Sequence, residues 1–244
     1  MKLVAIFATP SPYTTPILNA IARDVELHVV YLSHRDMVSG FDDSLGTDPM
    51  FDHSVHWSKR VHVPSSDLQA EFSIGLARPV RKLDPDAVLV ASWKPAMLEP
   101  LLWSRWSGRA AVMWAESTKS SGLLRGGMSN RVRRAFVHAV DTYVTNGTEA
   151  TEYLSELGVA SERIVTSRLP TALMPTTSQG GNRSPGDPVR FLYVGRVIPR
   201  KRPLELVEAF ASVRRELPDA TLTVVGAGEL EADLRQAAAR VPGR

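Results

Sequence analysis

Cysteine is absent from the 244 residues, which excludes a disulfide framework and any thiolate zinc site and fits a reducing compartment. Long hydrophobic runs are also missing: nothing approaches the roughly 20 apolar residues of a membrane-spanning helix. The run at residues 3–8 is too short for a signal-peptide core and is followed by Thr9-Pro10-Ser11-Pro12, so it reads as a first strand. A large charge surplus is lacking too, with 29 Lys and Arg against 26 Asp and Glu and a net charge of +3. That balance admits phosphorylated ligands or anionic surfaces and gives no reason to expect nucleic acid. Acids are locally absent from residues 117–134, where Arg125, Arg131, Arg133 and Arg134 cluster. A solvated helix face is the plain reading of that cluster, and peripheral contact with an anionic membrane the sharper one. No P-loop, nucleophile-elbow or zinc spacing occurs. His53, His56 and His62 lie in an irregular stretch without ligand spacing, and Asp84-Pro85-Asp86 reads as a turn before a strand, so no metal is expected.

What is present is alternation. Residues 3–8 are a continuous apolar run, the mark of a strand buried on both faces of a parallel sheet, and further strands are read at 26–32, 87–91, 110–114, 142–145 and 164–167. Helical patterns separate them: from Thr15-Pro16, around 68–83, around 96–106, from Asn130, and from Thr148 to Gly158. Residues 33–66 show no period and read as one long functional or mobile loop. The fold class expected is α/β, a doubly wound sheet. Residues 176–188 are a linker by composition, rich in Thr, Ser, Gly and Pro. The expected domains are therefore 1–175, the linker 176–188, and a second α/β domain over 189–244.

That second domain opens on the most informative stretch. Phe191, Leu192, Tyr193 and Val194 form a short strand that ends at Gly195; Arg196 and Lys201 follow, and Pro203-Leu204 starts an amphipathic helix. Strand, glycine, basic loop and helix start are the parts of an anion site, where backbone N–H groups and the positive helix end face a phosphate or diphosphate. The helix is expected to turn Leu206, Phe210, Val213 and Leu217 to one face and to end at Pro218. A second strand, 221–225, and Gly226-Ala227-Gly228 lead into a helix carrying Leu230, Leu234 and Ala237. Two strands of this kind look buried on both faces, which a two-stranded sheet cannot accomplish alone. The expectation is a C-terminal domain that is truncated, with pairing to another chain as the alternative.

Taken together, Val194-Gly195-Arg196, Lys201, Leu206-Val207-Glu208-Ala209-Phe210, Leu217-Pro218-Asp219-Ala220 and Val224-Val225-Gly226-Ala227-Gly228 resemble the retaining glycosyltransferases of family 4, within glycosyl transferases group 1. The resemblance implies a GT-B-like architecture: an N-terminal Rossmann-like acceptor domain and the first part of a nucleotide-sugar-binding Rossmann-like domain. It implies transfer of a sugar, with retention, from a nucleoside-diphosphate sugar to an acceptor such as a glycan or glycolipid. It also implies that no metal or other cofactor is required and that the reaction falls in the cleft between the domains. Gly195, Arg196 and Lys201 match the family's donor-diphosphate positions. Two cations there stabilise the charge that grows on the departing nucleoside diphosphate, a preference for the transition state over the ground state. On the acceptor side the candidates are Ser11, Tyr13, Thr14, Lys94 and Glu116, with Ser92 and Trp93 beside Lys94.

The chain also departs from the family pattern. Arg202 stands where glycine usually follows the lysine, Glu116 lies near the place of a common histidine, and Leu169-Pro170-Thr171 replaces an Asn-Gly before the linker. Glu208 and Glu216 return the family's paired-glutamate spacing in the wrong context and read as a decoy. Asn146-Gly147-Thr148 and Asn182-Arg183-Ser184 fit a glycosylation pattern that means nothing without secretion. The expected location is cytoplasmic, with membrane-peripheral contact. Two rival readings remain. One is a non-catalytic partner protein that oligomerises through the incomplete domain; the other is a sugar-nucleotide epimerase of the same architecture.

Overall fold

The computed structural model describes residues 1–11, 13–32, 48–62, 69–119, 127–167, 184 and 186–241, with the side chains of 59–62, 69–72 and 127–130 left aside. The described chain divides into two compact units, Met1–Met174 and Pro175–Arg244.

In the first unit, the apolar runs become β1 (Lys2–Phe7), β2 (Glu26–Tyr31), β6 (Ala87–Val90), β7 (Ala110–Ala115), β8 (Thr142–Thr145) and β9 (Ile164–Thr166). With β3 (Asp52–Val55) they make a seven-stranded sheet in the order β3-β2-β1-β6-β7-β8-β9, parallel throughout. The order turns back between β1 and β6, which is where open sheets of this kind leave a crevice at their C-terminal edge. Successive side chains of β1 go to opposite faces, as a strand requires. Val4 and Ile6 pack with Val80 of α2 (Ala77–Leu83), Leu101 of α3 (Leu98–Trp106), Phe136 of α4 (Gly127–Ala139) and Leu154 of α5 (Thr148–Glu156). Leu3, Ala5 and Phe7 pack with Leu18 of α1 (Thr15–Ile21) and with Trp114. Covering both faces is what stabilises this sheet, at about 1.5–3 kcal/mol for each fully buried large apolar side chain.

Two segments differ from the sequence expectation. The stretch read as one irregular loop contains β3 and β4 (Lys59–His62), and the helix expected around 68–83 is split into β5 (Gln69–Phe72) and α2. The strands β4 and β5 pair antiparallel as a separate hairpin. β3 is an edge strand with polar, mostly exposed residues, so it carries no apolar run to announce it. Of the expected long loop, residues 33–47 and 63–66 lie outside the described residues, as do Pro12, Arg125 and residues 168–183, which include Leu169-Pro170-Thr171, Asn182 and Arg183.

The end of α4 is pinned by one side chain. Arg163 donates to the carbonyls of Val137 at 2.8 Å, Asp141 at 3.1 Å and Val140, and its guanidinium lies 6.0 Å from the Tyr143 ring centre. A cation on the last carbonyls of a helix satisfies acceptors that have no intrahelical partner.

The second unit is small. β10 (Arg190–Val194) and β11 (Thr221–Val225) form a two-stranded parallel sheet, with α6 (Pro203–Glu216) and α7 (Glu231–Ala239) packed on it. Val197, Val207 and Leu234 make its core, joined by Leu204 and Val224. As expected of a two-stranded sheet, the apolar strands are not covered on both faces: Leu192 is 67% and Val194 70% exposed, since among the described residues helices pack on one face alone. The helix face differs from the expectation. Val207 and Pro203 are buried on α6 while Leu217 is 45% exposed, so the inward stripe is rotated from the one expected.

Candidate functional site

β10 ends at Val194, and the chain beyond it is tied to the loop after β11 rather than left free. Gly195 N–H donates to the Val225 carbonyl at 3.0 Å, Val197 N–H to the Ala227 carbonyl at 2.9 Å, and Leu230 N–H to the Val197 carbonyl at 3.1 Å. Gly226 has a φ of 148°, and a Cβ built there would collide with the Gly195 carbonyl oxygen. The Gly226-Ala227-Gly228 stretch is thus required for the two loops to approach, whatever ligand they hold.

Arg196 projects from this laced loop and is exposed. Lys201 ends a short 3-10 turn, Pro199–Lys201, and is also exposed. Among the described residues no carboxylate pairs with either side chain, whereas the neighbouring Arg202 sits 3.8 Å from Glu205. Arg202 has φ 52° and ψ 46°, a left-handed conformation, and is the N-cap of α6 with Pro203 at its first turn. This explains physically why glycine suits the position after the lysine: a side chain in that conformation costs about 1–2 kcal/mol. Glu208 and Glu216 are exposed on α6.

On the first unit, the candidates gather at the C-terminal edge of the sheet. Ser11, Tyr13 and Thr14 follow β1, and Ser92, Trp93 and Lys94 follow β6, its neighbour at the turning point of the strand order. The Ser11 carbonyl accepts from the N–H groups of Thr14 at 3.1 Å and Thr15 at 2.9 Å, and its hydroxyl accepts from Tyr13 N–H at 3.2 Å. That turn holds Tyr13 outward, 58% exposed. Trp93 packs its ring on Phe136 and Tyr143, with centroids 5.3 and 6.3 Å away. The Ser92 hydroxyl and the Trp93 indole N–H are both buried without a hydrogen-bond partner among the described residues.

Glu116, after β7, is held by a relay that the sequence does not show. Trp114 Nε1 donates to Asn146 Oδ1 at 2.8 Å, and Asn146 Nδ2 donates to Glu116 Oε1 at 2.9 Å. The Trp114 ring is itself fixed edge-on to Phe7, 5.9 Å away. Asn146 stood out in the sequence only as a glycosylation pattern; here its amide orients a carboxylate at the sheet's C-terminal edge.

The remaining clusters are structural or dispersed. His28 shares a 2.9 Å hydrogen bond with Ser54, His53 packs edge-on to Tyr31, and His56 contacts the Ile74 carbonyl at 3.4 Å. Among the described residues there is no group of three His, Asp or Glu able to hold a metal. Asp84 and Asp86 share Arg109, at 2.9 and 3.6 Å, at the other end of the sheet. Arg131 and Arg134 are exposed on α4, and Arg133 lies 5.6 Å over the Tyr153 ring. Among the described residues no helix is long and apolar enough to cross a membrane.

Residues 176–241 match the family described as glycosyl transferases group 1. This segment contains the whole β10–α6–β11–α7 arrangement together with Arg196 and Lys201. No curated protein matches the sequence. Among solved structures, Alr3699/HepE of Anabaena in complex with UDP superposes with a TM-score of 0.67 at 15% identity, over 99% of this chain and 66% of that one. The lipopolysaccharide outer core galactosyltransferase WaaB gives 0.59 at 12%, over 99% and 65%. The UDP-GlcNAc 2-epimerase of Neisseria meningitidis bound to UDP-GlcNAc gives 0.55 at 11%, over 99% and 70%. The chain therefore spans about two thirds of the length of these proteins. At such identities the likeness establishes the fold, α/β of the GT-B, Rossmann-like kind.

Proposed function

We propose that this chain serves a metal-independent, retaining glycosyltransferase of family 4 that uses a nucleoside-diphosphate sugar. The observation that carries the reading is the loop after β10: two exposed cations without a partner among the described residues, on a backbone laced to the β11 loop, inside the segment that matches glycosyl transferases group 1. The UDP and UDP-glucose complexes of the Anabaena neighbour support a uridine diphosphate donor.

In this reading residues 1–175 form the acceptor-side domain, 176–188 the linker and 189–244 the donor-side domain. Gly195 lets the donor's diphosphate approach the backbone, Arg196 clamps it with a planar fork, and Lys201 adds a mobile point charge. As the bond between the anomeric carbon and the phosphate oxygen breaks, the electron pair stays on the phosphate. Both cations then gain more from the product-like charge than from the intact donor. Ser11, Tyr13, Thr14, Lys94 and Glu116 receive a glycan or lipid-linked acceptor. The working place is the cytoplasm, in peripheral contact with an anionic membrane through Arg131 and Arg134.

The test is release of UDP from UDP-glucose. Arg196→Ala and Lys201→Ala should each lower it by about 100-fold or more, the usual cost of removing one transition-state donor. Unchanged release in both variants sinks the assignment. A second reading, epimerisation of a UDP-sugar, is favoured by the Neisseria epimerase neighbour. Appearance of the epimeric UDP-sugar without any acceptor present would select it.

A further inference from the structure

We infer that Tyr193 is a positioning residue for the diphosphate loop, setting the direction from which Arg196 reaches its anion. The inference rests on the reading of Arg196 and Lys201 given above. Tyr193 lies on β10, paired in register with Val224, and its phenol O–H donates to the main-chain carbonyl of Arg196 at 3.0 Å. The side chain therefore folds over the end of its own strand. It also occupies the space a side chain at residue 195 would need: a Cβ built on Gly195 would stand 3.2 Å from the Tyr193 hydroxyl oxygen and 3.3 Å from Cζ.

Three consecutive anchors follow from this. The Gly195 N–H and the Val197 N–H donate to the carbonyls of Val225, at the end of β11, and Ala227, just beyond it, at 3.0 and 2.9 Å, and the Arg196 carbonyl between them accepts from the Tyr193 hydroxyl. Without the phenol, the peptide joining Arg196 to Val197 is held through its N–H alone and its carbonyl has no protein donor among the described residues. Fixing that peptide before the ligand arrives removes an ordering cost that binding would otherwise bear, which is how preorganisation improves affinity. Tyr193 touches no ligand atom in this account; it acts through Arg196.

The experiment is calorimetric titration of inorganic pyrophosphate and of UDP into the wild-type chain, Y193F, R196A and the double variant. Phenylalanine keeps the ring and deletes only the hydroxyl. Y193F should weaken both ligands by about 3- to 10-fold, the worth of one hydrogen bond of ordinary strength, with little change in melting temperature. In the R196A background the same substitution should cost less than about twofold, because contacts coupled through one residue are not additive. Wild-type affinity in Y193F alongside weakened R196A overturns the inference and leaves the reading of Arg196 intact. So does an equal loss in both backgrounds, or a collapse of the Y193F melting temperature, since either makes the phenol merely structural. Wild-type affinity in R196A, or no wild-type binding at all, overturns the reading itself and the inference with it.

Discussion

β1 and β10 are similar as strings of residues and opposite in their surroundings. Val4, Ala5 and Ile6 are fully buried between two layers of helices, while Leu192 and Val194 on β10 face outward. The difference shows that an apolar run states a requirement for cover and not its fulfilment. It also separates two kinds of order. The first unit is held by packing on both faces of a seven-stranded sheet; the loop after β10 is held by local hydrogen bonds to the chain after β11 and by Val197, buried in the small core with Val207 and Leu234.

The sharpest way to test that contrast is to remove apolar side chains from each unit. Phe136→Ala, at a fully buried site, should cost about 3–5 kcal/mol in denaturant unfolding. Leu192→Ala, at an outward-facing site, should stay within about 0.5 kcal/mol. Equal losses would mean that the exposed face is covered in solution.

Next in size is Gly226→Ala. Its positive φ and the collision with the Gly195 carbonyl predict a penalty of about 1–3 kcal/mol, taken up by separation of the two loops. Pyrophosphate affinity should fall with it, a loss that calorimetry reads directly. Retained affinity would show that the lacing does not shape the site.

Arg202→Gly works in the opposite direction. Relief of the left-handed conformation should stabilise the second unit by about 1 kcal/mol, since the exposed contact with Glu205 contributes little. Urea unfolding measures it, and a destabilised variant would show that the arginine has another hold.

The smallest effect belongs to the first unit and to pH. Burial holds His28 below its ordinary pKa of 6.5, outweighing the opposing pull of Asp52, with His53 and Lys2 lowering it further. The unfolded chain therefore takes up this proton first. Stability is complete above pH 6.5, declines as pH falls through 6.5 toward the depressed value, and then levels. His28→Gln should flatten that part of the stability profile; an unaltered slope would assign it to other groups.

Much of this was legible in the sequence, for reasons that can be stated residue by residue. The alternation of apolar runs and helical periods gave the parallel sheet because strands covered on both faces must be continuously apolar. The loop after β10 was legible as a strand-to-helix connection because glycine, basic residues and proline follow the strand in an order that local backbone chemistry dictates. β3 was not, since Asp52-His53-Ser54-Val55 is mostly exposed and has no buried face to impose a period, and neither was β4, whose sequence Lys59-Arg60-Val61-His62 carries no apolar run. Nor was the Trp114–Asn146–Glu116 relay, whose partners lie 32 and 30 residues apart and meet only because β7 and β8 are neighbours. Tyr193 read as one more apolar residue of a strand; only its folded direction reveals the hydroxyl's task.

The measurement that bears most directly on the central claim is titration of UDP into the wild-type chain and into a variant carrying both R196A and K201A. Saturable binding by the wild type, weakened by about 100-fold or more when both charge-assisted contacts are gone, is the predicted result. Equal affinity in the two proteins would contradict the account, because the diphosphate would then have to be held somewhere other than the loop after β10.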